Sequence, residues 1–361
     1  MNRRDFLRST LISASGLALV HPRSARAFGD DGWRTFELTT RIDVQNPAGP
    51  TRVWMPTPLT VETPYQQTLG NTFHADGGTA SFTEDRAFGT GMVRAEWPEG
   101  AVPSLVVTSR VRTRDYAVDL TSPRATPRAA PAELRRFLEP VPLIPTDGIV
   151  KDAALKITRG ARTDVDRARA IYEWIVDNTF RDPKVAGCGI GDIRFMLESG
   201  NLGGKCADLN ALFVGLARSA GLPARDAYGV RVAKSQLGFK SLGAATEVIT
   251  KSQHCRAEVH LAQFGWVPVD PADVRKVVLE EPPGNLPLDD AVVQRARARL
   301  FGAWEMNWVA YNFASNVTLP GSSRKPIGFL MYPQAETANG PLDSLNPDAF
   351  RYQITAREIA A

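Results

Sequence analysis

Hydrophobic and polar residues change their rhythm twice along this chain. In FELTTRIDV, Phe36, Leu38, Ile42 and Val44 fall on even positions, the two-residue period of a half-buried strand. NPAG at 46–49 has turn chemistry, TRVWMP resumes an extended pattern, and SLVVTSRVRT at 104–113 is dense in β-branched residues. Residues 34–115 therefore predict a small β-sandwich, with His74 of NTFHADGGTA read as a loop residue. From about 120 to 147 proline and alanine dominate, which marks a connector with one short helix around 132–138.

Helical spacing follows. In TDVDRARAIYEWIVDNTF, Thr163 stands where an N-cap belongs, Asp166 is three positions on, and Val165, Ala168, Tyr172 and Ile175 recur at helical intervals. In GNLGGKCADLNALFVGLARSAGLPAR, Leu209, Leu212, Phe213, Leu216 and Ala220 form an apolar stripe behind Cys206. Gly221 and Pro223 end it, so a helix is expected from about 206 to 220. Strands then return: ARDAYGVRVA, and a hairpin in AEVHLAQFGWVPVD turning near Gln263–Gly265. Helices first and strands later predict an α+β core rather than alternating β and α units.

The N-terminus changes the reading of charge and location. Arg3-Arg4, Phe6-Leu7, an apolar run from Leu11 to Val20 and the closing Ala25-Arg26-Ala27 resemble a twin-arginine export signal over residues 1–27. The apolar run is too short for an anchor. A periplasmic or otherwise exported protein is expected, without a stable membrane anchor. The formal net charge of +4 lies entirely in that leader, which holds Arg3, Arg4, Arg8, Arg23 and Arg26 against Asp5. A charge-balanced body gives no support for nucleic acid as a partner. The remaining length predicts two domains: a β-sandwich-like unit (28–120), the connector (121–148), a core (149–320) and a C-terminal extension with a terminal strand (321–361).

Three cysteines, Cys188, Cys206 and Cys255, are too few for a disulfide framework. Cys206 sits in the first turn of its helix behind Gly203 and Gly204, where free N–H groups and the positive dipole end favour a thiolate. A thiolate nucleophile needs a base, and the base needs an orienting acceptor. Past the leader the histidines are His74, His254 and His260. His254 and Asp270 bracket the predicted hairpin symmetrically about residue 262, which sets them nearly opposite one another, whereas His260 lies by the turn. A zinc set of Cys188, Cys206, His254 and Cys255 is disfavoured, because strand neighbours 254 and 255 point to opposite faces and no Cys-x-x-Cys pair exists. Cys188 and Cys255 stand as a possible disulfide or as buried free thiols. No metal or cofactor is implied.

Cys206 at a helix start, GLPAR after that helix, and then H…AEV…GWVPVDP resemble the transglutaminase-like superfamily over about 150–275. The resemblance implies a papain-like core, helix on antiparallel sheet, with a Cys–His–Asp triad falling on Cys206, His254 and Asp270. FGAWEMNWVAYN and the tail also resemble exported bacterial members with an N-terminal β domain. The position two after the histidine, commonly aromatic in that family, is Arg256, which marks it as a residue lining the substrate. Trp304, Trp308 and Tyr311 recur at helix-like spacing. With Asn307 among them, Trp304 and Trp308 are read as core, or as an aromatic and amide groove contacting a peptide. The expectation is an exported cysteine-dependent acyl-transfer enzyme cleaving peptide or amide bonds in peptides, proteins or peptidoglycan stems. The alternatives are a protein-crosslinking transglutaminase and a catalytically idle peptide- or wall-binding scaffold.

Overall fold

The computed structural model describes residues 32–123, 131–346, 348 and 350–360. The leader assigned to residues 1–27 lies outside the described residues. Arg34–Val44 alternates inward and outward residues as its sequence requires, and it pairs antiparallel with Ser104–Thr113 on one side and Phe350–Ile359 on the other. Gln66–Asp76 completes this four-stranded sheet. A five-stranded sheet runs Gly340–Leu342, Gln334–Thr337, Thr51–Thr57, Thr90–Trp97, Thr79–Asp85. Ile42, Val53, Met55, Val93, Leu105, Val107 and Phe350 pack into one apolar core.

Two expectations change here. His74 lies in the strand Gln66–Asp76, exposed, with Nε2 2.8 Å from Asp76 Oδ1, and not in a loop. The outward face of a strand accepts polar residues, so polarity around His74 did not mean loop. The tail beyond 321 is no separate extension: Gln334–Thr337, Gly340–Leu342 and Phe350–Ile359 are strands of the sandwich itself. Ten paired positions with Phe350–Ile359 cover an edge of Arg34–Val44 that would otherwise stay open.

The rest is α+β: a cysteine-bearing helix packed on an antiparallel sheet, preceded by the β-rich region. The sheet order is Gly265–Val269, Gln253–Leu261, Ala224–Arg231, Trp308–Asn312. Helix Cys206–Ser219 is buried along every residue but its last, because the sheet covers one flank while Gly148–Ile157 and Asp164–Asn178 pack on others. It stops at Gly221, whose φ of +82° suits a residue without Cβ. Asp164–Asn178 begins with the reciprocal cap, Asp166 N–H to Thr163 Oγ1 at 3.1 Å and Thr163 N–H to Asp166 Oδ2 at 3.0 Å. The connector carries the short helix Pro131–Arg135. Trp308–Asn312 is a strand, against the helix-like spacing of its aromatics; all five of its residues are buried, and a strand covered on both faces shows no two-residue period. Among the described residues no helix is long and apolar enough to cross a membrane.

Candidate active site

Cys206 opens its helix, 4% exposed, in a cleft of about 590 Å³ that His254 and Cys188 also line. Asp208, two residues on, fixes what surrounds the sulfur. Its Oδ2 accepts the Lys205 N–H at 2.9 Å, and its Oδ1 accepts the Ile190 and Gly191 N–H groups, each at 2.9 Å. The Cys188 carbonyl accepts the Ala207 N–H at 2.9 Å. The glycine-rich loop is thereby folded onto the helix start. A Cβ on Gly189, whose φ is +94°, would come within 1.9 Å of the Asp208 carboxylate, so the loop requires glycine there.

His254 begins the strand Gln253–Leu261, with Asp270 just past its hairpin partner. Ala257 faces Val269 and Leu261 faces Gly265, which sets Asp270 level with Arg256, not with His254. The turn therefore sits one residue later than the symmetric reading about 262, and His254 reaches Asp270 along a diagonal. His254 Nε2 lies 2.7 Å from Asp270 Oδ2, which leaves Nδ1 as the nitrogen free to face Cys206. Asp270 also caps helix Pro271–Glu280, accepting the Asp273 N–H at 3.0 Å on Oδ1, while the Asn210 amide donates to the same oxygen at 3.2 Å. Asn210 further donates to the Cys255 carbonyl at 2.8 Å, tying cysteine helix, histidine strand and acid together. Trp308 Nε1 donates to the His254 carbonyl at 3.0 Å.

A second carboxylate completes the network. Asp273 Oδ1 is 3.3 Å from His254 Nε2, and both Asp273 oxygens accept from Arg231 Nη2, at 2.6 and 2.8 Å. Burial and Arg231 act to lower the His254 pKa, but Asp273 and Asp270 prevail and raise it to about 9. Burial and the Asp273 charge push Asp270 above the ordinary carboxylate value; Asp273, despite its burial, is held well below it by Arg231 and His254. Hydrogen bonds from Cys188 and Cys255, and then the His254 ring, hold the Cys206 thiol well below its ordinary value against burial. The geometry favours thiolate and imidazolium side by side.

All three cysteines are buried and free, so Cys188 and Cys255 are not bridged in this structure. Cys188 lies against the Gln253 carbonyl at 3.4 Å, and Cys255 against Met331 Sδ at 3.8 Å. Their pKa values rise well above normal, Cys188 first through its bond to Cys206 and Cys255 through burial. His254, Asp270 and Asp273 bring three possible metal-ligand atoms within 4.8 Å of one another. Arg231 pairs with Asp273, and Arg256 Nε stands 3.7 Å from Asp270 Oδ2.

Arg256, Trp304, Asn307 and Trp308 do not line the cleft. Arg256 is 2% exposed, donates to the Glu305 carbonyl at 3.0 Å and lies over the Trp304 and Trp308 rings. Asn307 donates to the Ala233 and Leu242 carbonyls at 3.2 and 3.0 Å. All four are buried, Arg256 on the histidine strand itself, and Trp308 supports that strand through the His254 carbonyl. Asn210, Asp208, Arg231 and Asp273 were missed by the sequence reading. The available signal was polarity out of place: Asn210 is buried inside the most apolar helix, and Asp273 follows Asp270 by one helical step.

The transglutaminase-like superfamily model matches residues 151–271. An uncharacterized protein of Haemophilus influenzae is 36% identical over 376 aligned positions, 99% of this chain and all of the relative. Among solved structures, a candidate cysteine protease from Cytophaga hutchinsonii superposes with a TM-score of 0.50 at 17% identity, covering 90% of this chain and 98% of that one, a likeness of fold. The periplasmic domain of TgpA from Pseudomonas aeruginosa gives a TM-score of 0.39 at 15% identity, over 69% of this chain and 90% of that one.

Proposed function

The chain belongs to the transglutaminase-like superfamily, and on that premise we propose that it is a cysteine-dependent enzyme cleaving peptide or amide bonds through a thioester on Cys206. The observation that carries this reading is one cleft lined by both Cys206 and His254, with Asp270 holding the His254 ring at 2.7 Å.

The chemistry follows from those positions. The Cys206 thiolate attacks the substrate carbonyl carbon, and the carbonyl π electrons move onto oxygen. The Cys206 N–H, at a helix start where no carbonyl four residues back is in place, is the donor for that oxyanion. When the tetrahedral adduct collapses, the C–N bond breaks and His254 gives its Nδ1 proton to the departing nitrogen. His254, now neutral, takes a proton from water as water attacks the thioester; collapse releases the acid and restores the ion pair. Asp270 holds the ring and favours its charged form without being protonated itself.

Water is the acceptor favoured over an amine, because an alkylammonium would have to enter a cleft lined by Arg181, Lys205, Lys251 and Lys276. The twin-arginine-type leader supports export, with periplasmic peptides, proteins or peptidoglycan stems as substrates and no nucleic acid as a partner. The test is to incubate wild type and Cys206→Ala with cell-envelope extract, quench in acid and map adducts by mass spectrometry. An acyl mass on the Cys206 peptide, absent from the variant and released by hydroxylamine, is expected. A wild type that stays unacylated while hydrolysing amide substrates would end the thioester reading.

A further inference from the structure

The cleft around Cys206 is lined by Arg181, Lys205, Arg231, Lys251 and Lys276, and no Asp or Glu lines it. The body of the chain is charge-balanced, so this is a local asymmetry. The cations come from separate segments: the two-residue strand Phe180–Arg181, the residue before the nucleophile, the strand Ala224–Arg231, the turn before the histidine strand, and helix Pro271–Glu280. Carboxylates outside the lining answer three of them. Glu280 pairs with Arg181 and Lys276, and Asp273 pairs with Arg231. Among the described residues Lys205 and Lys251 have no carboxylate partner. A further donor has no acceptor: Gln253 Nε2 is buried and unbonded among the described residues, in the same cleft. Buried donors without acceptors carry a cost that a bound acceptor relieves. The rest of the wall mixes the apolar and aromatic Leu345, Phe350, Tyr332 and Tyr352 with the hydroxyls of Ser241, Thr250, Ser252 and Ser344.

We propose that this cleft selects anionic acyl donors, peptide segments that carry a carboxylate beside the scissile bond, with Lys205, Lys251 and the Gln253 amide as the recognising groups. The inference rests on the acyl-transfer reading and names its substrate class. One-signed clefts with low-dielectric walls concentrate counter-ions and raise encounter rates about tenfold or more. The carboxylate can be an acidic side chain or a free terminal carboxyl group; the two share this chemistry.

The probe is Cys206 itself. Its alkylation rates by iodoacetate, an anion, and by iodoacetamide, its neutral counterpart, are measured on the full-length protein by peptide mapping, against N-acetylcysteine as the free thiol. The iodoacetate-to-iodoacetamide ratio is expected to exceed that of the free thiol by about tenfold at low salt and to shrink as ionic strength rises. Lys251→Glu, at an exposed position, and Lys205→Gln each lower the ratio severalfold. A ratio equal to that of the free thiol overturns the proposal, whether or not any peptide is cleaved. The iodoacetamide rate alone reports whether Cys206 is activated, so failure of the anionic preference and failure of the enzymatic reading are separable. Matched amide substrates ending in a terminal acid or amide, or carrying Glu or Gln, then assign the source of the carboxylate. The acid member of one pair is expected to have at least a tenfold higher kcat/KM, and equal rates within both pairs contradict the proposal.

Discussion

Arg34–Val44 in the sandwich and Gln253–Leu261 in the core are central strands of similar length, buried in opposite styles. The first alternates, apolar residues inward and charges at the rim, where Arg34 meets Glu358 at 2.7 Å in partial contact with solvent. The second is buried at six consecutive positions, three of which are His254, Arg256 and Glu258. Each ionisable group there survives burial through a dedicated partner: Asp270 for His254, the Glu305 carbonyl and two indoles for Arg256, and Arg225 at 2.6 Å for Glu258. Such burial is costly and weakly stabilising at best. A strand built this way is explained by chemistry at its end and not by the needs of folding.

Breaking each style should separate activity from stability. His254→Ala is expected to lower thioester formation by about 10³- to 10⁴-fold, read as the rate of Cys206 acylation by an activated ester. Ile42→Val, in the sandwich core, costs about 0.5–1.5 kcal/mol of stability and leaves that rate as it was. A sandwich variant that slowed acylation as much as the histidine variant would abolish the distinction. The next largest effect is Arg231→Met, which takes the guanidinium from buried Asp273 and leaves it His254 alone, at a cost of about 3–5 kcal/mol, seen as a lower urea midpoint.

The contrast also explains what the sequence could and could not disclose. Where one face of a strand is wet, as in FELTTRIDV, alternation marks both strand and core. Cys206 was legible because glycines, a helix start and a stopping Gly221 frame it, and His254 because so few histidines compete. Trp304 and Trp308 were legible as core, but nothing local reports that the partners of Arg256 and Asn307 arrive from distant segments. The placing of Cys188, Cys206 and His254 in one cleft is likewise tertiary. The tail's place in the sandwich depends on pairing more than 300 positions apart, between Arg34–Val44 and Phe350–Ile359, which local pattern cannot carry.

A subtler test uses pH. The reactive pair needs thiolate on Cys206 and a proton on His254, whose pKa is raised to about 9. Below that value the imidazolium persists; as pH rises through about 9 the proton leaves and the pair is lost. The same sign holds for stability: relative to an ordinary 6.5, the raised value contributes fully below about pH 6.5, and the contribution disappears through about 9. The rate of Cys206 acylation should therefore fall on the alkaline side with a limb near 9. Asp273→Asn removes one of the charges that raise His254 and leaves Arg231 uncompensated, so the limb moves to lower pH. An unmoved limb in that variant would assign the raised value to Asp270 alone.

The smallest effect belongs to the sandwich. Arg34 donates to both Glu358 oxygens, at 3.0 and 2.7 Å, across the seam between the first and last strands, and looks like a clasp on the tail. Solvent reaches both side chains, and exposed pairs contribute about 0–1 kcal/mol. The seam also has a main-chain ladder and the inward Phe350, Ile354 and Ala356, none of which a change at Arg34 touches. Arg34→Ala should therefore shift the urea midpoint by no more than that range implies. A loss approaching that of Arg231→Met would mean that the sandwich, too, depends on its charges, and the two strands would no longer represent two ways of burying a sequence.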